Sequence, residues 1–153
     1  MFYQHKEQDT FFYSFDEIFQ VIIEIEKYPD FVPWCKAVYI KEKIDNKIVV
    51  DLLVDFHGMK EKYTSRVTFF SPSKTNEGWI RTVSSNGIFK YLYNEWRIIP
   101  IDLNKTTVKF YIEFEFKSNL LSYMLYSVYN YIQNEIITAF RKRIQGLAKQ
   151  KLS

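Results

Sequence analysis

The sequence predicts an α+β fold, a curved antiparallel sheet of about six to seven strands wrapped around a long C-terminal helix. Three observations carry this. Apolar residues recur at helical spacing after Ser14, switch to a period of two between Ala37 and Phe116, and return to helical spacing from about Asn119. The connections between successive strands are short, which forces antiparallel pairing, because parallel neighbours need crossovers of a dozen residues. The helices then have one face of the sheet to cover.

Taken in order, Phe2 to Asp9 gives a weak strand signal. Ser14 with Glu17 forms a capping-box pattern, and Phe15, Ile18, Phe19, Ile22 and Ile25 continue it as a helix to about Lys27. Tyr28 Pro29 Asp30 Phe31 Val32 Pro33 Trp34 Cys35 ends that helix. Each proline removes a backbone donor and steers the residue before it away from helical geometry, so large apolar side chains sit on an irregular turn. Such a segment is either a lid over a ligand cavity or a plug in a core. Strands follow at Ala37 to Lys43 and Ile48 to Phe56, the latter ending in a turn around Gly58. Glu61 to Ser71 returns with Tyr63, Ser65, Val67 and Phe69 on one face. Gly78 to Ser85 and Phe89 to Ile99 flank the turn dipeptide Asn86 Gly87, and Leu92, Trp96 and Ile98 share a face. Lys105 to Phe116 alternates most cleanly, with Val108, Phe110, Ile112, Phe114 and Phe116 on the dry side. From Asn119 onward Leu121, Met124, Leu125, Val128, Ile132, Ile136, Phe140, Ile144 and Leu147 form the stripe of one long helix.

Composition narrows the function. A chain of 153 residues fits one domain. The aromatic load of 14 Phe, 12 Tyr and 3 Trp exceeds what a small core requires and leaves rings for a pocket or a surface. The single Cys35 excludes an internal disulfide and suits a reducing compartment. The first ten residues are polar and unlike a signal peptide, and no apolar stretch has the length of a spanning helix. The expectation is therefore the cytoplasm, with any membrane contact peripheral, at the inner membrane. A net charge of +3 lacks the concentrated basic character of phosphate-backbone binding, and DNA is not an expected partner.

The proline-bounded segment, together with Tyr63 Thr64 Ser65 Arg66 Val67, the run Asn86 to Leu92, Trp96 and Pro100, resembles the coenzyme Q-binding branch of the START-like, helix-grip superfamily. That superfamily also includes polyketide cyclases and the ribosome association toxin family. The likeness covers nearly the whole chain. One departure is Gly87 Ile88 Phe89, where the branch commonly reads Gly-Pro-Phe. The resemblance implies a tunnel between the bent sheet and the long helix, holding ubiquinone or a similar prenylquinone as ligand and supporting its delivery or its use in respiration. It equally implies a second role, binding a ribosomal subunit and blocking subunit joining, and a third, polyketide cyclisation.

Candidate ligand contacts are the inward apolar positions Val50, Leu52, Val54, Val67, Leu92, Phe110, Ile112, Phe114, Met124, Val128 and Ile132, with Phe31 and Val32 from the proline-bounded segment. Trp34, Tyr63 and Trp96 add a flat apolar body with a hydrogen-bond donor suited to a quinone oxygen. Phe31, Val32 and Trp34 are also the candidates for dipping into a membrane interface, with Arg141, Lys142, Arg143, Lys149 and Lys151 drawing anionic lipid or completing the helix dipole. Catalytic patterns are not found. Asp51 with Asp55 and Glu113 with Glu115 fall on the outward phase of strands, where solvated faces are expected, and His5 and His57 have no metal or triad spacing to Cys35. Cys35 reads as a buried inert thiol, and the four glycines form no phosphate loop. The reading is a lipid-binding protein with no catalytic cofactor and no metal.

Overall fold

Ser14 caps the first helix as its spacing to Glu17 predicts. Its hydroxyl accepts from Glu17 N at 3.2 Å, while Ser14 N donates to the Glu17 carboxylate at 3.3 Å. A computed structural model describes residues 2–56, 58–72 and 76–152, and side chains there except at 127, 128, 132, 133 and 148–152. Helix α1 runs Phe15–Ile23 and buries Phe15, Ile18, Phe19, Val21 and Ile22. It stops short of the expected Lys27, with Glu24 at φ −78°, ψ 68°. The chain continues as a 3-10 turn over Ile25–Asp30 that contains Pro29. An α-helix through Pro29 would drive its ring into the Ile25 carbonyl, and the tighter turn avoids that clash.

Seven strands form one antiparallel sheet: β1 Phe2–Phe11, β2 Cys35–Ile44, β3 Lys47–Phe56, β4 Met59–Phe70, β5 Gly78–Ser84, β6 Phe89–Asp102 and β7 Lys105–Phe116. Their spatial order is β1-β7-β6-β5-β4-β3-β2, so β2 to β7 form a meander and β1 returns to lie beside the last strand. Register shifts at Cys35/Ala37 and Ile40/Glu42 in β2, and at Phe89/Tyr91 and Pro100/Asp102 in β6, add residues to one strand of a pair and bend the sheet. The β2–β3 hairpin closes on Asp45, at φ 52°, as a tight two-residue loop requires.

Gly87 serves more than its turn. It sits at φ 61°, and a Cβ there would stand 2.4 Å from the Lys62 carbonyl oxygen and 2.8 Å from Tyr63 Cβ. The Asn86–Gly87 corner thus presses directly on β4. There the Asn86 amide imitates a strand: Thr64 N donates to Asn86 Oδ1 at 2.7 Å, and Asn86 Nδ2 donates to Thr64 O at 2.9 Å. This side chain continues the ladder beyond the β4–β5 register, which covers Arg66–Phe70 only. Asn86→Ala is expected to cost about 1–2 kcal/mol, since it leaves Thr64 N unpaired while Thr64 O keeps the Ser84 hydroxyl at 2.7 Å. Urea unfolding of the variant gives the number, and a midpoint equal to wild type would mean that the clamp carries no stability.

The expected single C-terminal helix is two. Helix α2, Asn119–Met124, is capped by the Ser118 hydroxyl on Leu121 N at 3.0 Å, and α3, Tyr126–Leu152, follows after Leu125 at φ −99°, ψ 11°. The concave face of the sheet and the helices enclose two packed clusters. One gathers α1, Ile80, Trp96, Phe110, Ile137, Phe140 and Ile144. The other gathers Tyr3, Val54, Phe56, Phe89, Leu92, Phe114, Phe116 and Leu125.

Candidate ligand cavity

Alternation along the strands aims one residue in two at the helices, and where the two clusters fail to meet, a cavity of about 150 Å³ remains. From β3 it is lined by Val50, Leu52 and Val54, and from β4 by Tyr63, Ser65 and Val67. Leu92, Asn94 and Trp96 on β6, and Phe110, Ile112, Phe114 and Phe116 on β7, complete the floor with Ile80 and Thr82 of β5. The proline-bounded segment supplies one wall through Tyr28, Val32, Trp34 and Cys35, and the helices supply Leu125, Tyr129, Ile136 and Phe140. Among these described lining residues none carries a formal charge at neutral pH. The cavity is therefore a place for neutral, mostly apolar matter.

Tyr28 anchors its segment by donating its hydroxyl to the Ile22 carbonyl, and its ring meets those of Phe31 at 5.6 Å and Phe140 at 5.3 Å. Backbone bonds from Phe31 N and Val32 N to Tyr28 O, and from Asp55 N to Trp34 O, tie the segment to itself and to β3. Trp96 is held between Phe110 at 4.6 Å and Phe140 at 4.7 Å, and Tyr63 stands edge-on to Phe89 at 4.9 Å. Burial raises the Tyr28 and Tyr63 phenols well above their ordinary value, so both remain hydroxyls. Burial also pushes the Cys35 thiol up to about 11, which keeps it protonated and unreactive at neutral pH.

Three expectations about placement are corrected. Phe31 does not line the cavity; it packs outside against Phe140 at 5.1 Å, with the Arg143 guanidinium 5.3 Å from its ring. Met124 is 52% exposed, because the break at Leu125 turns α2 away from the phase of the later helix and gives the inward place to Leu125. Val32 is buried, which removes it from any outward contact. The side chains of Val128 and Ile132 lie outside the described residues, as do those of Lys149 and Lys151, and so does His57. Within the expected basic cluster, Arg141 is ion-paired with Asp9 and lies over the Phe11 ring, while Lys142 is exposed.

Of the outward carboxylates, Asp55, Glu113 and Glu115 are partly exposed, as expected, and Asp51 is buried. Asp51 is covered by Lys41 and Lys62 and accepts from Thr64 Oγ1 at 2.6 Å; that hydrogen bond, then the two lysines, hold its carboxyl below the usual range. No group of three or more His, Cys, Asp or Glu among the described residues is placed to hold a metal. Reading strands only for apolar periodicity missed Thr82 and Asn94. The available signal was a polar residue standing in the inward phase, as Asn94 does between Leu92 and Trp96.

Residues 13–141 match the family model described as polyketide cyclase / dehydrase and lipid transport. The chain belongs to that family. This START-like family member is 32% identical over 139 residues to the "Ribosome association toxin RatA" of Rickettsia prowazekii, covering 90% of this chain and 92% of the toxin. It is 30% identical over 137 residues to the "Coenzyme Q-binding protein COQ10, mitochondrial" of Drosophila melanogaster, covering 87% of this chain and 54% of the fly protein, so it spans about half of that relative. Among solved structures, the Zhui aromatase/cyclase of Streptomyces sp. R1128 superposes with a TM-score of 0.75 at 20% identity, covering 100% of this chain and 97% of that one. The helix-grip fold of the START-like family is thereby shown for this chain, as the sequence resemblance implied.

Proposed function

We propose that the protein binds a polyprenyl quinone, of the ubiquinone type, by its head group and supports its delivery or use in respiration. The observation that carries this reading is the uncharged, ring-lined cavity between sheet and helices. Its volume of about 150 Å³ is below the roughly 300–1,000 Å³ of ordinary ligand pockets, which suits a ring and not a long tail. Each tail CH₂ left in water costs about 0.8 kcal/mol, so the tail needs cover outside the cavity. Leu120, Tyr123, Met124 and Tyr126 are exposed beside the lining residues Leu125 and Tyr129, an apolar and aromatic surface of the kind that rests at a bilayer interface. Peripheral contact of a cytoplasmic protein with the inner membrane belongs to the proposal. Organic extraction and mass spectrometry of gently purified protein tests it, with a stoichiometric prenylquinone as the expected result. Reproducibly empty protein from a quinone-rich host would count against it.

The match along 92% of a ribosome association toxin favours a second reading, binding to a ribosomal subunit. Sedimentation of ribosomal subunits with the added protein separates the two: comigration with a subunit and a loss of joined ribosomes would support the second.

A further inference from the structure

Where the sheet lines the cavity, its non-aromatic side chains are apolar except along one diagonal. Ser65 on β4, Thr82 on β5 and Asn94 on β6 all line the cavity, where the other lining residues of the sheet are Val, Leu, Ile, aromatic residues and Cys35. Thr82 stands directly opposite Asn94 in the β5–β6 register and opposite Val67 in the β4–β5 register, which places Ser65 one diagonal step away. Neighbours of that kind are about 7–8 Å apart, within the reach of a single six-membered ring and its substituents.

This row is incompletely satisfied. Ser65 is 1% exposed, and its Oγ has no hydrogen-bond partner among the described residues. A buried hydroxyl left so is costly, and alanine would fill the same space without the cost. The Asn94 amide is half used, since Nδ2 donates to the Tyr111 carbonyl at 2.9 Å, which fixes the side chain and turns Oδ1 to the remaining role of acceptor. The nearby Ser84 hydroxyl, by contrast, is spent on the Thr64 carbonyl at 2.7 Å. Hydroxyls in two positions and a carbonyl in the third, without a charge, match neither a carboxylate nor a phosphate, each of which would need a cation to offset its burial.

We infer that Ser65, Thr82 and Asn94 form the recognition row of the cavity, taking a neutral ring that carries oxygen atoms along one edge. The ligand enters ring first, a ring carbonyl accepts from the Ser65 or Thr82 hydroxyl, and a ring hydroxyl of the reduced form donates to Asn94 Oδ1. This rests on the quinone reading above and adds its specificity determinants.

The test uses the full chain, ubiquinone with one isoprene unit, and quenching of tryptophan fluorescence, with oleate as the anionic comparison. Ser65→Ala and Thr82→Val keep shape and remove one hydroxyl each. Each is expected to weaken ubiquinone binding about 3- to 10-fold. In the ligand-free state Ser65→Ala is expected to melt about 2–4 °C higher than wild type, a gain that a merely structural hydroxyl would not give. Wild-type binding of ubiquinone with both variants indistinguishable from it, or a lower melting point for Ser65→Ala, would overturn the row and leave the quinone reading standing. Wild-type protein that ignores ubiquinone, or prefers oleate, would overturn both.

Discussion

Phe140→Ala is expected to cost about 3–5 kcal/mol and to lower the melting temperature by roughly 6–20 °C. Phe140 is 4% exposed and receives three rings at once: Tyr28 at 5.3 Å, Phe31 at 5.1 Å and Trp96 at 4.7 Å. Alanine removes the partner of all three and joins the empty space to the existing cavity, so little collapse can recover the loss. It also removes one of the contacts by which α3 holds the proline-bounded segment, beside Arg143 over Phe31 and Tyr131 against Trp34. Thermal unfolding followed by circular dichroism gives the shift. A loss below about 1 kcal/mol would mean that the segment is held by its backbone bonds to Tyr28 and Asp55 and not by the aromatic cluster.

Ile112→Trp is expected to reduce retained prenylquinone at least about 100-fold, equivalent to about 2.7 kcal/mol, with the fold intact. Ile112 faces the helices from β7 yet is only half-buried, because its neighbour on that side is the cavity. An indole at this position extends into free space instead of into packed atoms, which makes overpacking cheaper here than elsewhere in the core. The measurement is quinone per protein by mass spectrometry, paired with a melting curve. A folded variant that keeps its full complement of quinone would locate the ligand outside this cavity.

The sequence made the sheet legible because its strands have one dry face: β7 alternates through Phe110, Phe114 and Phe116 as written, and Ser14 with Glu17 marked the start of α1. The β4 face holding Tyr63, Ser65 and Val67 was equally plain. The helix break was not. No proline or glycine stands at Leu125, and both halves share one apolar spacing, so spacing alone predicts Met124 inward. The direction of Phe31 is hidden for a related reason, since a turn has no period from which to read it. The polar row needed tertiary information, because Ser65, Thr82 and Asn94 become neighbours only through the register of three strands.

The pairing of β1 with β7 also bears on synthesis. Phe2 lies opposite Glu115 and Phe11 opposite Thr106, and the Tyr3 hydroxyl reaches the Ser122 carbonyl across 119 residues of chain. At 5–20 residues per second, the first strand made waits on the order of 10 s for the last one it joins. A bare strand of that length invites association between nascent chains. Gln4, His5, Lys6, Glu7, Gln8 and Asp9 run consecutively through it, which leaves Tyr3 and Phe11 at the ends as its two fully buried rings. The polarity that made β1 the weakest strand signal is what lets it remain in water until its partner is translated.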